Sequence, residues 1–125
     1  MKFKDLGLCK EILLSINSVG YKEPTEIQKK AIPNILIGRD ILGCAQTGTG
    51  KTGSFIMPLI EILNSGKSKS RMPRSLVLAP TRELAMQVSE EFEKINQHLN
   101  LQMALLIGGT SFVEQENKLS KGVDV

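Results

Sequence analysis

The chain of 125 residues has no tryptophan, a single tyrosine and only four phenylalanines. A core must therefore come from aliphatic side chains. It has two cysteines, Cys9 and Cys44, far apart and without metal-ligand spacing. That excludes a disulfide framework and a zinc knuckle, and predicts reduced, packed thiols in a cytoplasmic protein. The lone histidine, His98, has no serine, cysteine or acid near it in sequence, so a histidine-based triad has no support. No apolar run approaches the roughly 20 residues that cross a bilayer. The opening Met1-Lys-Phe-Lys-Asp5 is not followed by a signal-peptide stretch, so no membrane partner is expected. Net charge is a mild +3. It permits a polyanionic partner without arguing for one, and the basic run from Lys67 to Arg74 reads as a solvated loop. There is no internal repeat and no low-complexity tract.

What is present is a phosphate loop. Residues 45–52 read Ala-Gln-Thr-Gly-Thr-Gly-Lys-Thr. Gly48 and Gly50 allow the backbone to turn and bring N–H groups toward phosphate oxygens. Lys51 supplies a point charge for the β- and γ-phosphates, and the Thr52 hydroxyl a ligand for Mg²⁺. Gly-x-Gly-Lys-Thr arises by chance in about one chain in several hundred of this length. The general pattern opens with glycine, and Ala45 stands there instead. The rival reading is a glycine-rich turn beside a solvated lysine.

The flanking pattern supports the loop. Leu8, Ile12, Leu13, Ile16 and Val19 recur at helical spacing, and Gly20 is a stop. Thr25 opens a second helix, with Gln28 three residues on as a capping box. Ile27, Ala31 and Ile35 share one face of it, and Pro33 is a kink or restart. A strand over residues 41–44 leads into the phosphate loop. A helix then runs from Lys51 to Asn64, interrupted at Pro58. Residues 75–79 form a short apolar strand buried on both faces. Thr81 caps a helix to about His98, with Leu84, Val88, Phe92 and Ile95 inward. Glu90 and Glu91 lie on its solvated face. A strand over 102–107, a helix from the Gly108-Gly109-Thr110 turn through Leu119, and a strand begun at Gly122 complete the chain. Strands alternating with helices predict an α/β fold with a doubly wound parallel sheet. Ligands gather at the carboxyl ends of such strands, where loops 45–52, 80–82 and 108–110 emerge.

Pro80-Thr81-Arg82-Glu83-Leu84-Ala85 follows a strand and begins a helix, so Thr81 and Arg82 could hold a phosphodiester oxygen. Gly108 and Gly109 would let a polyanion backbone approach. Singly, each reads more simply as a cap or a turn. The order of Gly20-Tyr21-Lys-Glu-Pro24-Thr25-Glu-Ile27-Gln28, the phosphate loop, Pro80–Ala85 and Gly108-Gly109 resembles the N-terminal half of the first RecA-like domain of DEAD-box RNA helicases. The likeness covers essentially all of 3–125.

The resemblance implies a RecA-like P-loop NTPase domain with ATP and Mg²⁺ as cofactors. Phe3, 17 positions before Gly20, matches the family's upstream aromatic and would stack on the base. Gln28 would read adenine, its amide suiting the N6/N7 edge. Tyr21 and Ala45, Gln46, Thr47, Gly48, Thr49, Gly50, Lys51 and Thr52 would complete the nucleotide site. Pro80, Thr81, Arg82, Gly108 and Gly109 would hold an RNA backbone without reading its sequence. The family's Asp-Glu-Ala-Asp, Ser-Ala-Thr and Thr-Pro-Gly-Arg motifs and its second RecA-like domain are absent from the 125 residues. Hydrolysis needs acids for the metal and the water, and an arginine for transition-state charge. The expectation is thus a truncated domain, 1–125, of a cytoplasmic ATP-dependent RNA helicase. It would bind adenine nucleotide weakly, would not hydrolyse it, and would self-associate through an exposed sheet edge. The rivals are another P-loop enzyme, such as a small-molecule kinase, and a non-catalytic RNA-binding module.

Overall fold

The computed structural model describes residues 1–46, 48–66, 72–109 and 111–125. A 3₁₀ turn at Phe3–Asp5 precedes α1 (Lys10–Val19) and α2 (Glu26–Leu36). Then come α3 (Lys51–Ser65), α4 (Arg82–Ile95) with a 3₁₀ turn at Asn96–His98, and α5 (Phe112–Ser120). The helix ends follow local chemistry. Gly20 closes α1 with φ at 89°, a left-handed backbone that glycine adopts without steric cost. Thr25 opens α2 by the reciprocal capping box: its hydroxyl accepts from the Gln28 N–H, and the Gln28 side-chain oxygen accepts from the Thr25 N–H. Thr81 and Ser111 cap α4 and α5 by the single bond alone, their hydroxyls accepting from the N–H groups of Leu84 and Glu114.

Both internal prolines are carried without a break. Pro33 lies within α2, and α3 runs unbroken past Pro58, contrary to the expected interruption. A proline removes one helical rung. Here burial outweighs it: Ile56, Met57, Ile60 and Leu63 of α3 are all buried. α3 packs between α2 and α4, and α4 also packs on α1. Ile12, Ile32, Phe92 and Ile95 join that core with no exposed surface. Truncating any of them to alanine would cost about 2–5 kcal/mol. Glu61 of α3 accepts from the Cys9 N–H and so ties the start of α1 to this layer. Burial pushes the Cys9 thiol up to about 11. The second thiol departs from expectation, because Cys44 is exposed rather than packed. Among the described residues no helix is long and apolar enough to cross a membrane.

None of the expected strands forms a strand among the described residues, so the doubly wound sheet is not seen. A strand needs a neighbour that takes up its N–H and C=O groups in a ladder. Only the start of one exists. The Val125 N–H donates to Gln102 O, and the Ala104 N–H donates to Val125 O, a parallel-type exchange around Met103. The segment 75–79 is also not buried on both faces. Val77 packs on the helical core, whereas Leu76 and Leu78 are 80% and 85% exposed. Period-two alternation is present with one face covered. Ile41, Leu42 and Leu106 are likewise exposed.

One residue gathers the far ends of two segments. Asp124 accepts from Arg74 Nη2 at 2.9 Å with one carboxylate oxygen and from the Gln102 N–H at 2.9 Å with the other. Its backbone carbonyl accepts from the Arg74 N–H. The 74 and 102 ends are thereby clasped together on Asp124.

Candidate nucleotide-binding site

The phosphate loop takes the shape its glycines permit. Gly48 has φ 84° and Gly50 φ 79°, values that cost a side-chain-bearing residue about 1–2 kcal/mol. Gly50 is the N-cap of α3, and the first rung of that helix is Ser54 N–H to Gly50 O. The N–H groups of Lys51, Thr52 and Gly53 thus precede the first helical donor, Ser54, at the positive end of the helix dipole. Such a terminus attracts an anion. Lys51 is exposed, and its ammonium donates to the Ala45 carbonyl at 3.0 Å. The Thr49 hydroxyl donates to Gln46 O. Thr52 is half-buried on the first turn. Thr47 lies outside the described residues.

A cavity of about 960 Å³ opens over this loop and is walled by α4 and the segment 20–28. Phe3, Tyr21, Gln28, Gln46, Gly48, Gly50, Lys51 and Thr52 all line it. The residues expected around a nucleotide therefore share one space, with Ala45 and Thr49 in the loop behind. Phe3 and Gln28 are buried, at 6% and 5% exposure. Gln28 does more than cap α2. Its Nε2 donates to Gly50 O at 3.1 Å, fastening α2 to the phosphate loop. One N–H and one lone pair of the amide remain uncommitted by these bonds.

The opposite wall corrects one reading. Both acids line the cavity: Glu90 is exposed, and Glu91 is half-buried. The Tyr21 hydroxyl donates to Glu91 Oε2 at 3.0 Å. Burial, and after it the Glu91 carboxylate, pushes the Tyr21 hydroxyl up to about 12. Leu84 also departs from expectation: it is 42% exposed because it lines the cavity rather than the core. The sequence offered no local signal for Glu91, since its partner lies 70 residues away.

The other two loops come together at Arg82. A Cβ on Gly109, where φ is 82°, would stand 2.8 Å from Arg82 Nη2. Arg82, Gly108 and Gly109 are exposed, as are Pro80 and Thr81. They make a cationic, sterically open rim at the start of α4. Thr110 lies outside the described residues. Among the described residues no cluster of three or more histidines, cysteines or acids could hold a metal on its own.

Residues 25–125 match the family model described as DEAD/DEAH box helicase. The chain is 45% identical to the ATP-dependent RNA helicase DBP10 of Candida albicans over 98% of its own length, which is 13% of that protein. It is 43% identical to the ATP-dependent rRNA helicase RRP3 of Coccidioides immitis over 95% of the chain and 24% of the relative. Its fold is similar to that of the RNA helicase Prp28 from Chaetomium thermophilum bound to ADP. There the TM-score is 0.89 at 40% identity, covering 97% of this chain and 30% of that one. The chain thus spans a quarter or less of the two relatives' length. That match begins at Thr25, the cap of the helix that Gln28 ties to the phosphate loop, and runs to the last residue; the chain belongs to the DEAD/DEAH box helicase family.

Proposed function

We propose that this chain is the ATP-binding part of an ATP-dependent RNA helicase, the first portion of a RecA-like domain. The observation that carries the reading is the bond from Gln28 to Gly50. It puts an amide suited to adenine beside a loop suited to phosphates, in one cavity with Phe3 and Tyr21. In this reading Phe3 stacks on the base, and Gln28 offers its remaining donor and acceptor to the N6/N7 edge. The free N–H groups from Lys51 to Gly53 and the Lys51 ammonium meet the phosphates. Mg²⁺ comes with the nucleotide: the donor available is the Thr52 hydroxyl, which fits a metal that keeps most of its shell as phosphate and water oxygens.

The rim of Pro80, Thr81, Arg82, Gly108 and Gly109 takes an RNA backbone through charge and shape. The segments 41–44, 75–79 and 102–107 become strands of a parallel sheet when their edges are paired. Until then the exposed Leu76 and Leu78 favour self-association of the 125 residues. By themselves these residues hold phosphate in its ground state and lack groups that act on the transition state, so no hydrolysis is expected from them. Free thiols at Cys9 and Cys44 suit a cytoplasmic setting.

Titration of the purified chain with ADP, GDP and inorganic pyrophosphate tests the site. Binding of ADP in preference to GDP supports it, and equal affinities for the two remove the base-reading role of Gln28. Salt-dependent binding of single-stranded RNA, weakened by Arg82→Ala equally across sequences, supports the rim.

A further inference from the structure

We propose that Glu91 is a positioning residue of the nucleotide pocket, holding the Tyr21 ring as one wall of the base site through the Tyr21 hydroxyl. The inference rests on the nucleotide reading above and adds a residue to it. Both side chains line the cavity that also contains Phe3, Gln28 and the phosphate loop. The hydroxyl lies 3.0 Å from Oε2 and 3.3 Å from Oε1 of Glu91, so both carboxylate oxygens face it. Tyr21 packs its ring against the core, and a half-buried tyrosine hydroxyl needs an acceptor. Among the described residues Glu91 makes no ion pair, although Lys94 lines the same cavity one turn on. Its carboxylate also reaches the first turn of α3, because a Cβ on Gly53 would lie 3.5 Å from Glu91 Oε1. Glu91 therefore bonds the aromatic wall on one side and faces the first turn of the phosphate-loop helix on the other. Without the carboxylate the Tyr21 hydroxyl loses its tether, and core packing alone holds the wall beside the base.

A double-variant cycle on ligand affinity tests this, with Tyr21→Phe, Glu91→Ala and the pair together. Each single variant is expected to weaken ADP about fivefold, the worth of one hydrogen bond. The pair is expected to be no weaker than the worse single, because both remove the same contact. Glu91→Gln keeps an acceptor and is expected to recover most of the loss. Pyrophosphate, which lacks a base, is expected to bind Tyr21→Phe as tightly as the unchanged chain. Losses that multiply in the pair, or an equal loss of pyrophosphate in Tyr21→Phe, overturn the role of Glu91 and leave the nucleotide reading standing. Should Glu91→Ala not fold, Tyr21→Phe decides alone: unaltered ADP affinity overturns the proposal. If the unchanged chain binds neither ADP nor pyrophosphate, the nucleotide reading fails and this inference with it.

Discussion

The side-chain amide of Gln28 reaches across 22 residues of sequence to the carbonyl oxygen of Gly50, at 3.1 Å. One buried side chain thus closes a helix cap and anchors the last glycine of the phosphate loop. Gln28→Ala removes both bonds. It is expected to lose about 1–3 kcal/mol of stability and, with it, most of any preference for ADP over GDP. Gln28→Glu keeps the cap acceptor but sets a carboxylate against the Gly50 carbonyl, so it is expected to be at least as damaging. Denaturant midpoints and paired ADP and GDP titrations check both variants.

The two loop glycines separate conformational strain from collision. Both have positive φ, so alanine at either costs about 1–2 kcal/mol. At Gly48 a Cβ meets nothing within 4 Å, whereas at Gly50 it would stand 2.6 Å from Gln28 Nε2. Gly50→Ala is therefore expected to unfold at a clearly lower urea concentration than Gly48→Ala. Equal midpoints in the two variants would falsify the close approach of Gln28.

Lys51 gives the opposite profile. Its bond to Ala45 O is exposed, and such a contact contributes little to folding. Lys51→Ala is expected to shift apo stability by no more than about 0.5 kcal/mol. Affinity for ADP and pyrophosphate is expected to fall about tenfold or more, since a charge-assisted contact to phosphate is lost. Calorimetry on one preparation reads both quantities. Collapse of the apo fold would make the lysine structural.

Tyr21, the single tyrosine, reports its own surroundings through phenolate absorbance. Burial and Glu91 push its hydroxyl up to about 12 from an ordinary value of 10. Between those values the folded chain keeps a proton that the unfolded chain has released. Stability from this group is complete below pH 10 and is lost as pH rises toward 12. Glu91→Gln is expected to lower the titration midpoint, and Tyr21→Phe to flatten the alkaline decline. A midpoint at the ordinary value in the folded chain would detach Tyr21 from Glu91.

Helix ends were legible from sequence because their determinants are local. Thr25 and Gln28, Thr81, and Gly20 each act within a few positions, and the three-dimensional caps follow them. The sheet was not legible in this way, because a ladder depends on a neighbour that no local pattern names. The alternation at residues 75–79 illustrates this: Val77 found the core, and Leu76 and Leu78 found nothing. The candidate site divided the same way. The glycines and Lys51 could be read in place. The bond from Tyr21 to Glu91 spans 70 residues and surfaced only when α4 packed. Pro58 was misread because propensity counts the lost rung but not the burial that offsets it.

The clasp on Asp124 also sets a schedule. Arg74 and Asp124 stand 50 residues apart, and a chain emerges from the ribosome at about 5–20 residues per second. The segment beginning at Arg74 therefore exists for about three to ten seconds before its clasp has been made. For that interval the chain around Arg74 lacks the carboxylate that fixes it beside Gln102. Slower translation lengthens that wait.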